Sequence, residues 1–386
     1  MKIETLIALL DIQNRHKLFN KILKELERTR NIDYVSFQTF ETTEGIIPLL
    51  KIAKNSKIED IKHVKVFIGA QHNEYNGLFS ILKFFQLINK EEIKIDEVVR
   101  PDQILFFLPL LNPYGFLNPK RNNKSGYYLK NGMNLNRFWR RAFAPEYNNG
   151  MKDLNRYSAP PQVNIVKKLL QKYWKNEDIY IYILDFHETS LLERFLADLS
   201  EKLNLLYKFD HWLKEGIIFN IIKLYGISYS QKPLFVKKNP SVDYRLLKLT
   251  QNQFELVIEK LVDYISKNKE KDKLPFYFCY SNKSKEYCLK LANIVYNKLK
   301  EKLWETCFPA FSHNFINHGC FVKMSDATPR PKVYSMELES RKHFFNIFEE
   351  IKNSKSVPNY LENKLKSMNV SIELALETLK EMIELF

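Results

Sequence analysis

The chain has 386 residues, 60 of them Lys or Arg and 45 Asp or Glu, for a formal net charge of +15, and 45% of its residues are hydrophobic. That length and apolar content allow a large core, built as one big α/β domain or two smaller ones, and argue against a disordered chain. Only 10 residues are Gly, and none of them has the spacing of a dinucleotide fingerprint, a phosphate-cradling loop or a G-x-S-x-G nucleophile elbow, which sets nucleotide-driven and serine-hydrolase chemistry aside.

The opening residues MKIETLIALLDIQNRH hold one short apolar run, LIALL, broken by Asp11, and read as the start of an amphipathic helix rather than a leader peptide. No uninterrupted apolar segment reaches the roughly 18 residues of a transmembrane span, so no membrane association is expected. Four runs rich in β-branched and aromatic residues read as buried strands: 63–70, 103–111, 179–186 and 332–338. Between the first two, NGLFSILKFFQLINKEE repeats its apolar residues at helical spacing. Strand, helix and strand in succession predict an α/β fold with a central sheet flanked by helices.

The segment 112–161 is rich in Asn and contains Pro113, Pro119, Pro145, Pro160 and Pro161, so it reads as a long surface loop system of the kind that carries function. From about 196 to 330, helical patterns at 196–209, 252–267 and 285–303 alternate with short strands, and the charged run 267–273 reads as an exposed loop. After 340 the chain reads as helices with a break at Pro358, and no internal repeat is found. The four cysteines, Cys279, Cys288, Cys307 and Cys320, have no metal-binding spacing and read as reduced thiols, from which a cytoplasmic location is expected. The lysines are spread along the chain without an arginine-rich tract, so the charge reads as a solvated surface and no nucleic-acid partner is expected.

Chemistry concentrates at strand ends. The run 63–70 leads into Gln71-His72-Asn73-Glu74, the run 179–186 ends in His187-Glu188-Thr189, and Glu337 sits inside an apolar strand pattern. Carboxylates seldom belong in buried strands unless paired, metal-bound or catalytic. Two clustered ligands, a distant His and a separate Glu make the parts list of a mononuclear catalytic zinc site.

These segments resemble the motifs of the zinc metallocarboxypeptidases and their relatives, the succinylglutamate desuccinylase and aspartoacylase deacylases. Gly69-Ala70-Gln71-His72-Asn73-Glu74 looks like G-x-H-x-x-E, and Asn112-Pro113-Tyr114-Gly115-Phe116 is similar to N-P-D/Y-G-F. Asn131 to Phe138 resembles N-G-V-D-L-N-R-N-F, Asp185-Phe186-His187-Glu188 the strand-end third ligand, and Met336-Glu337-Leu338-Glu339 the catalytic-Glu strand. The resemblance implies a mixed, mostly parallel sheet, with zinc on Gln71, Glu74 and His187. It makes Asn136 and Arg137 the grip on a substrate carboxylate, Arg121 the group that polarises the scissile carbonyl, and Glu337 the general base and acid.

Three departures refine that implication. Gln71 stands at the first ligand position with His72 one place off, a substitution similar to that of peptidoglycan-trimming D,L-carboxypeptidases in this family. Either residue is a candidate ligand. Asn134 replaces the family's Asp, whose role is to orient the first ligand. The stretch from His187 to Glu337 is long, which implies a catalytic domain of residues 1–195 and 326–386 with an insertion or lid at 196–325. The expected function is zinc-dependent removal of a C-terminal residue from a small carboxylate-bearing peptide, such as a peptidoglycan stem. The alternatives are deacylation of an N-acyl amino acid, or a binding module on the same fold.

Overall fold

The four apolar runs form the middle of one sheet in the computed structural model, which describes residues 2–10, 12–55, 57–118, 126–143, 158–189, 274–275, 277–303, 307–308, 311–312, 321–341 and 356–386. The described strands are β1 (Val35–Thr42), β2 (Gly45–Ile52), β3 (His63–Ile68), β4 (Gln103–Leu108), β5 (Tyr180–Thr189), β6 (Leu274–Pro275), β7 (Tyr277–Tyr280), β8 (Cys307–Phe308), β9 (Phe311–Ser312) and β10 (Val333–Arg341). The described helices are α1 (Ile3–Leu10), α2 (Ile12–Arg28), α3 (Asn76–Asn89), α4 (Ile95–Val98), α5 (Pro113–Leu117), α6 (Trp139–Phe143), α7 (Pro161–Trp174), α8 (Lys285–Leu303), α9 (Phe321–Ala327) and α10 (Val357–Leu385).

Eight strands make a mixed sheet in the order β1-β2-β4-β3-β5-β10-β7-β9. The central four, β4, β3, β5 and β10, run parallel. The β1–β2 hairpin joins one side antiparallel, and β7 joins β10 antiparallel on the other. Parallel strands are covered on both faces, which is why β3 and β4 read as near-continuous apolar runs, broken in β3 by Lys65, rather than alternating ones.

The period of two sorts side chains onto the two faces. Phe67, Phe107, Tyr182, Leu184, Phe186 and Met336 pack under α2, α3, α8 and α10. Val64, Val66, Ile68, Ile104, Ile181, Ile183 and Val333 pack under α6, α7 and α9. Each fully buried Leu, Ile or Phe contributes about 1.5–3 kcal/mol, so both layers are held mainly by area removed from water.

Several expectations need revision against this fold. The 112–161 segment is less irregular than its prolines suggested: it contains α5 and α6, and Pro161 opens α7, where a missing N–H is tolerated. Pro358 likewise lies in the first turn of α10 rather than breaking a helix. Within 196–325, β7 and β9 belong to the main sheet and α8 to the layer that covers it, while residues 190–273 lie outside the described residues. Cys279 and Cys288 are buried and outside any disulfide, and burial pushes the Cys288 thiol up. Among the described residues, no helix is long and apolar enough to cross a membrane.

Candidate metal centre

The parallel strands end at one edge of the sheet, and the register there sets Ile68, Asp185 and Glu337 side by side, with Glu339 opposite His187. Asp185 and His187, two residues apart, share the face of Ile181 and Ile183, and Glu337 shares the face of Val333. After β3 the chain turns through Ala70, held in the left-handed region at φ 44°. Backbone bonds from Leu111 N to Gly69 O (3.2 Å) and from Asn112 N to Ala70 O (3.1 Å) tie this turn to the Asn112–Phe116 turn. A Cβ at residue 69 would lie 2.7 Å from Pro109 O, so the close approach requires Gly69.

The turn delivers Gln71, His72, Asn73 and Glu74 into the interior, each at most 4% exposed. Glu188, pointing the other way from β5, accepts from the backbone N–H groups of Tyr75 (2.7 Å) and Asn76 (2.9 Å). A carboxylate at those N–H groups stabilises the start of α3. From α2, the buried Arg15 donates to Tyr75 Oη (2.8 Å) and Phe116 O (2.9 Å), bracing both turns.

The hydrogen bonds fix which atoms face inward. Asn134 Oδ1 accepts the backbone N–H of Asn136 (2.9 Å), so His72 Nε2, 3.0 Å from the same oxygen, must donate. A neutral His72 then has its Nδ1 lone pair 3.3 Å from Glu74 Oε2. At His187, Nε2 lies 2.9 Å from Asp185 Oδ2 and Nδ1 2.9 Å from Glu74 Oε2. Tyr127 stacks on His72 at 3.9 Å and 14°, fixing the plane of that ring.

Burial opposes a charged His187, but Asp185 and Glu74 outweigh it and hold its pKa well above the usual histidine value. Burial would raise Glu74, yet His72 and His187 hold it well below the ordinary carboxylate range. Burial lowers His72, and Glu74 only partly opposes this, so His72 is the neutral imidazole of the pair. Without an ion, then, a proton on His187 bridges to Glu74. With that proton gone, both Nδ1 atoms can offer a lone pair within 3.3 Å of Glu74 Oε2.

His72, Glu74 and His187 offer ligand atoms within 4.8 Å of one another, all buried, and Asp185, His187 and Glu337 form a second such group. Two nitrogens and one oxygen suit zinc. The His187 Nε2 contact with Asp185 matches the carboxylate support that metal-bound histidines usually have.

Not every expected site residue is placed as expected. Gln71 lies beside His187, but its Oε1 accepts the Trp139 indole N–H (2.6 Å), a group that can only donate, which turns the amide oxygen away from the cluster. Gln71 Nε2 donates to Asn136 Oδ1 (2.6 Å) and Asp185 Oδ2 (3.1 Å). Asn134 contacts His72 rather than Gln71. Asn136 is buried against Gln71, whereas Arg137 keeps a buried Nη1 with no hydrogen-bond partner among the described residues. Arg121 lies outside the described residues. Asp185, Trp139 and Tyr127 had no role assigned from sequence; for Asp185 the signal was its place two residues before His187 on a strand.

No protein-family model and no curated protein matches the chain. Among solved structures it is similar to carboxypeptidase A from Helicoverpa armigera, at 12% identity over 93% of this chain and 71% of that one, with a TM-score of 0.46. It is also similar to a metallo-carboxypeptidase from Burkholderia cenocepacia, at 10% identity over 94% and 68% of the two chains, TM-score 0.44. Bovine thrombin-activatable fibrinolysis inhibitor, solved with tick carboxypeptidase inhibitor, matches at 10% identity over 96% of each chain, TM-score 0.43. The site is therefore read from its own residues.

Proposed function

We propose that this protein is a metal-dependent amide hydrolase of the metallocarboxypeptidase type, acting on a small peptide with a free carboxylate beside the scissile bond. The observation that carries the reading is the convergence of His72 Nδ1, His187 Nδ1 and Glu74 Oε2 beside a second buried carboxylate, Glu337. We assign His72 rather than Gln71 as the third ligand; what supports this is that the Gln71 oxygen accepts from Trp139. Zinc held by these three residues would supply Lewis acidity toward the carbonyl and lower the pKa of a water molecule.

The protein's own groups do the rest. Asp185 holds the His187 ring with Nε2–H turned toward it, which keeps Nδ1 facing Glu74. Glu337 takes the proton of the attacking water and passes it to the leaving amine. Arg137, whose buried Nη1 has no partner among the described residues, holds the substrate carboxylate; Asn136 orders Gln71 and the floor beneath it. Arg121 is assigned to the scissile carbonyl on the motif resemblance alone.

The test is a metal analysis joined to an assay. The purified protein should hold close to one zinc per chain and release the C-terminal residue of tripeptides. Glu337→Gln should lower turnover by about 10²-fold or more with metal content unchanged. Full activity in that variant, or a chain that takes up no zinc, would overturn the reading. Hydrolysis of N-acetyl or N-succinyl amino acids in place of tripeptides would move the substrate to the deacylase class.

A further inference from the structure

The His72 ring is held at its edge and over its face. At the edge, Nε2–H donates to Asn134 Oδ1 (3.0 Å) and Nδ1 lies 3.3 Å from Glu74 Oε2. Over the face lies Tyr127, with the ring centroids 3.9 Å apart and the planes 14° from parallel, the closest ring pair among the described residues. Aromatic pairs usually keep their centroids about 4.5–7 Å apart. The phenol ring therefore covers the imidazole instead of meeting its rim.

Tyr127 is carried by a turn that other segments hold in place. Leu129 N donates to Met133 O (2.9 Å) and Gly132 N to Leu129 O (2.8 Å), which closes the turn on itself. Lys130 N donates to Oε2 of the buried Glu44, between β1 and β2 (2.9 Å), and Asn112 Nδ2 donates to Tyr128 O (3.4 Å). Leu129, 3% exposed, anchors the turn in the core. Tyr127 itself is half-buried while His72 is buried, so the tyrosine ring is part of what covers the histidine.

A bare imidazole gains from such a stack little beyond the area it loses to water. An imidazole with a cation on Nδ1 is polarised, with positive charge spread over the ring, and the electron-rich face of a phenol attracts it. The stack thus favours the metal-bound ring over the empty one, from a direction that no hydrogen bond to His72 occupies.

We propose that Tyr127 is a positioning residue of the metal centre, which tightens cation binding through the face of the His72 ring. The inference rests on the metal reading above, with His72 as a ligand, and adds to it a dependence on an aromatic face at residue 127. The ring is the active feature, and the hydroxyl is dispensable.

Zinc affinity of the full chain, read by competition with a chelator, tests this in the parent, Tyr127→Phe and Tyr127→Leu. The leucine variant, which fills space without a π face, should bind zinc about ten-fold more weakly, and the phenylalanine variant should stay within about three-fold of the parent. Cobalt in place of zinc reports the ligand geometry. The visible absorption of the cobalt-loaded protein should match between parent and Tyr127→Phe and change in Tyr127→Leu, which a loss of packing remote from the ligands would not produce. Tyr127→Met is the second variant without a ring and carries the same expectation where the leucine variant does not fold. A parent that takes up no zinc would sink the metal reading and this inference with it. A parent that binds zinc, with the ringless variants binding as tightly or Tyr127→Phe binding as weakly as they do, would overturn this inference alone.

Discussion

At the scale of single residues, the proposed choice of His72 over Gln71 as first ligand rests on two hydrogen bonds rather than on motif spacing. Asn134 forces His72 to donate through Nε2 and leaves Nδ1 bare, and Trp139 takes the oxygen of Gln71. The expected outcome is that His72→Ala loses zinc, while Gln71→Ala keeps it with affinity reduced about 10-fold to 100-fold, as for a supporting residue. Metal analysis after dialysis against graded chelator checks this, and the reverse ranking would return the ligand to Gln71. The candidate cluster was partly legible in the sequence because His187 and Glu337 lie within buried strand runs and Glu74 follows a third in the turn before α3, and the three strands are consecutive in the sheet. The orientation of Gln71 was not legible, since it depends on an indole 68 positions away in a segment that reads as loop. Tyr127 was hidden for the same reason: ring stacking on His72 is a tertiary contact with no local pattern.

At the scale of elements, the helix that follows the metal turn is held to the sheet by an absent side chain. Gly77 lies in the first turn of α3 against β5, and a Cβ there would sit 2.3 Å from Phe186 Cβ. Phe186 is buried between Asp185 and His187, so it cannot yield without moving both. Gly77→Ala gains helix propensity of up to about 1 kcal/mol, but the overlap costs about 1–3 kcal/mol or more. The net expectation is a lower Tm together with weaker zinc binding, measured by thermal unfolding with and without zinc. An unchanged Tm would mean that α3 can slide on the sheet. The element pattern was readable wherever strands are buried on both faces, as at β3, β4, β5 and β10. The β1–β2 hairpin went unnoticed because it lies at the side of the sheet, where burial alternates along β1 and the apolar signal weakens. Prolines misled in the opposite sense: Pro113, Pro161 and Pro358 mark helix starts, where the ring costs little.

At the scale of the whole molecule, stability should depend on pH through one lysine. Lys65 is the only cation in the apolar run of β3; it is fully buried and donates to Ile383 O (2.7 Å) in the last turn of α10. Burial, followed by repulsion from Arg100 and partly relieved by Asp102, lowers its pKa from 10.5 to about 6. Between those two values the unfolded chain binds a proton at this position that the folded chain does not. Stability contributed by this group therefore rises with pH from about 6 to about 10, with a slope of at most about 1.4 kcal/mol per pH unit for one proton. Below pH 6 both states are protonated and the full desolvation cost remains; above pH 10 neither is, and the cost is gone. Lys65→Met keeps an unbranched chain of similar length and removes the proton, at the expense of the bond to Ile383 O. The variant should be more stable than the parent near pH 6, and that advantage should shrink steadily toward pH 10, as read from urea unfolding at each pH. A difference that stays flat across that range would show that Lys65 keeps its proton in the folded state, and that the sheet beneath α10 admits more water than its packing implies.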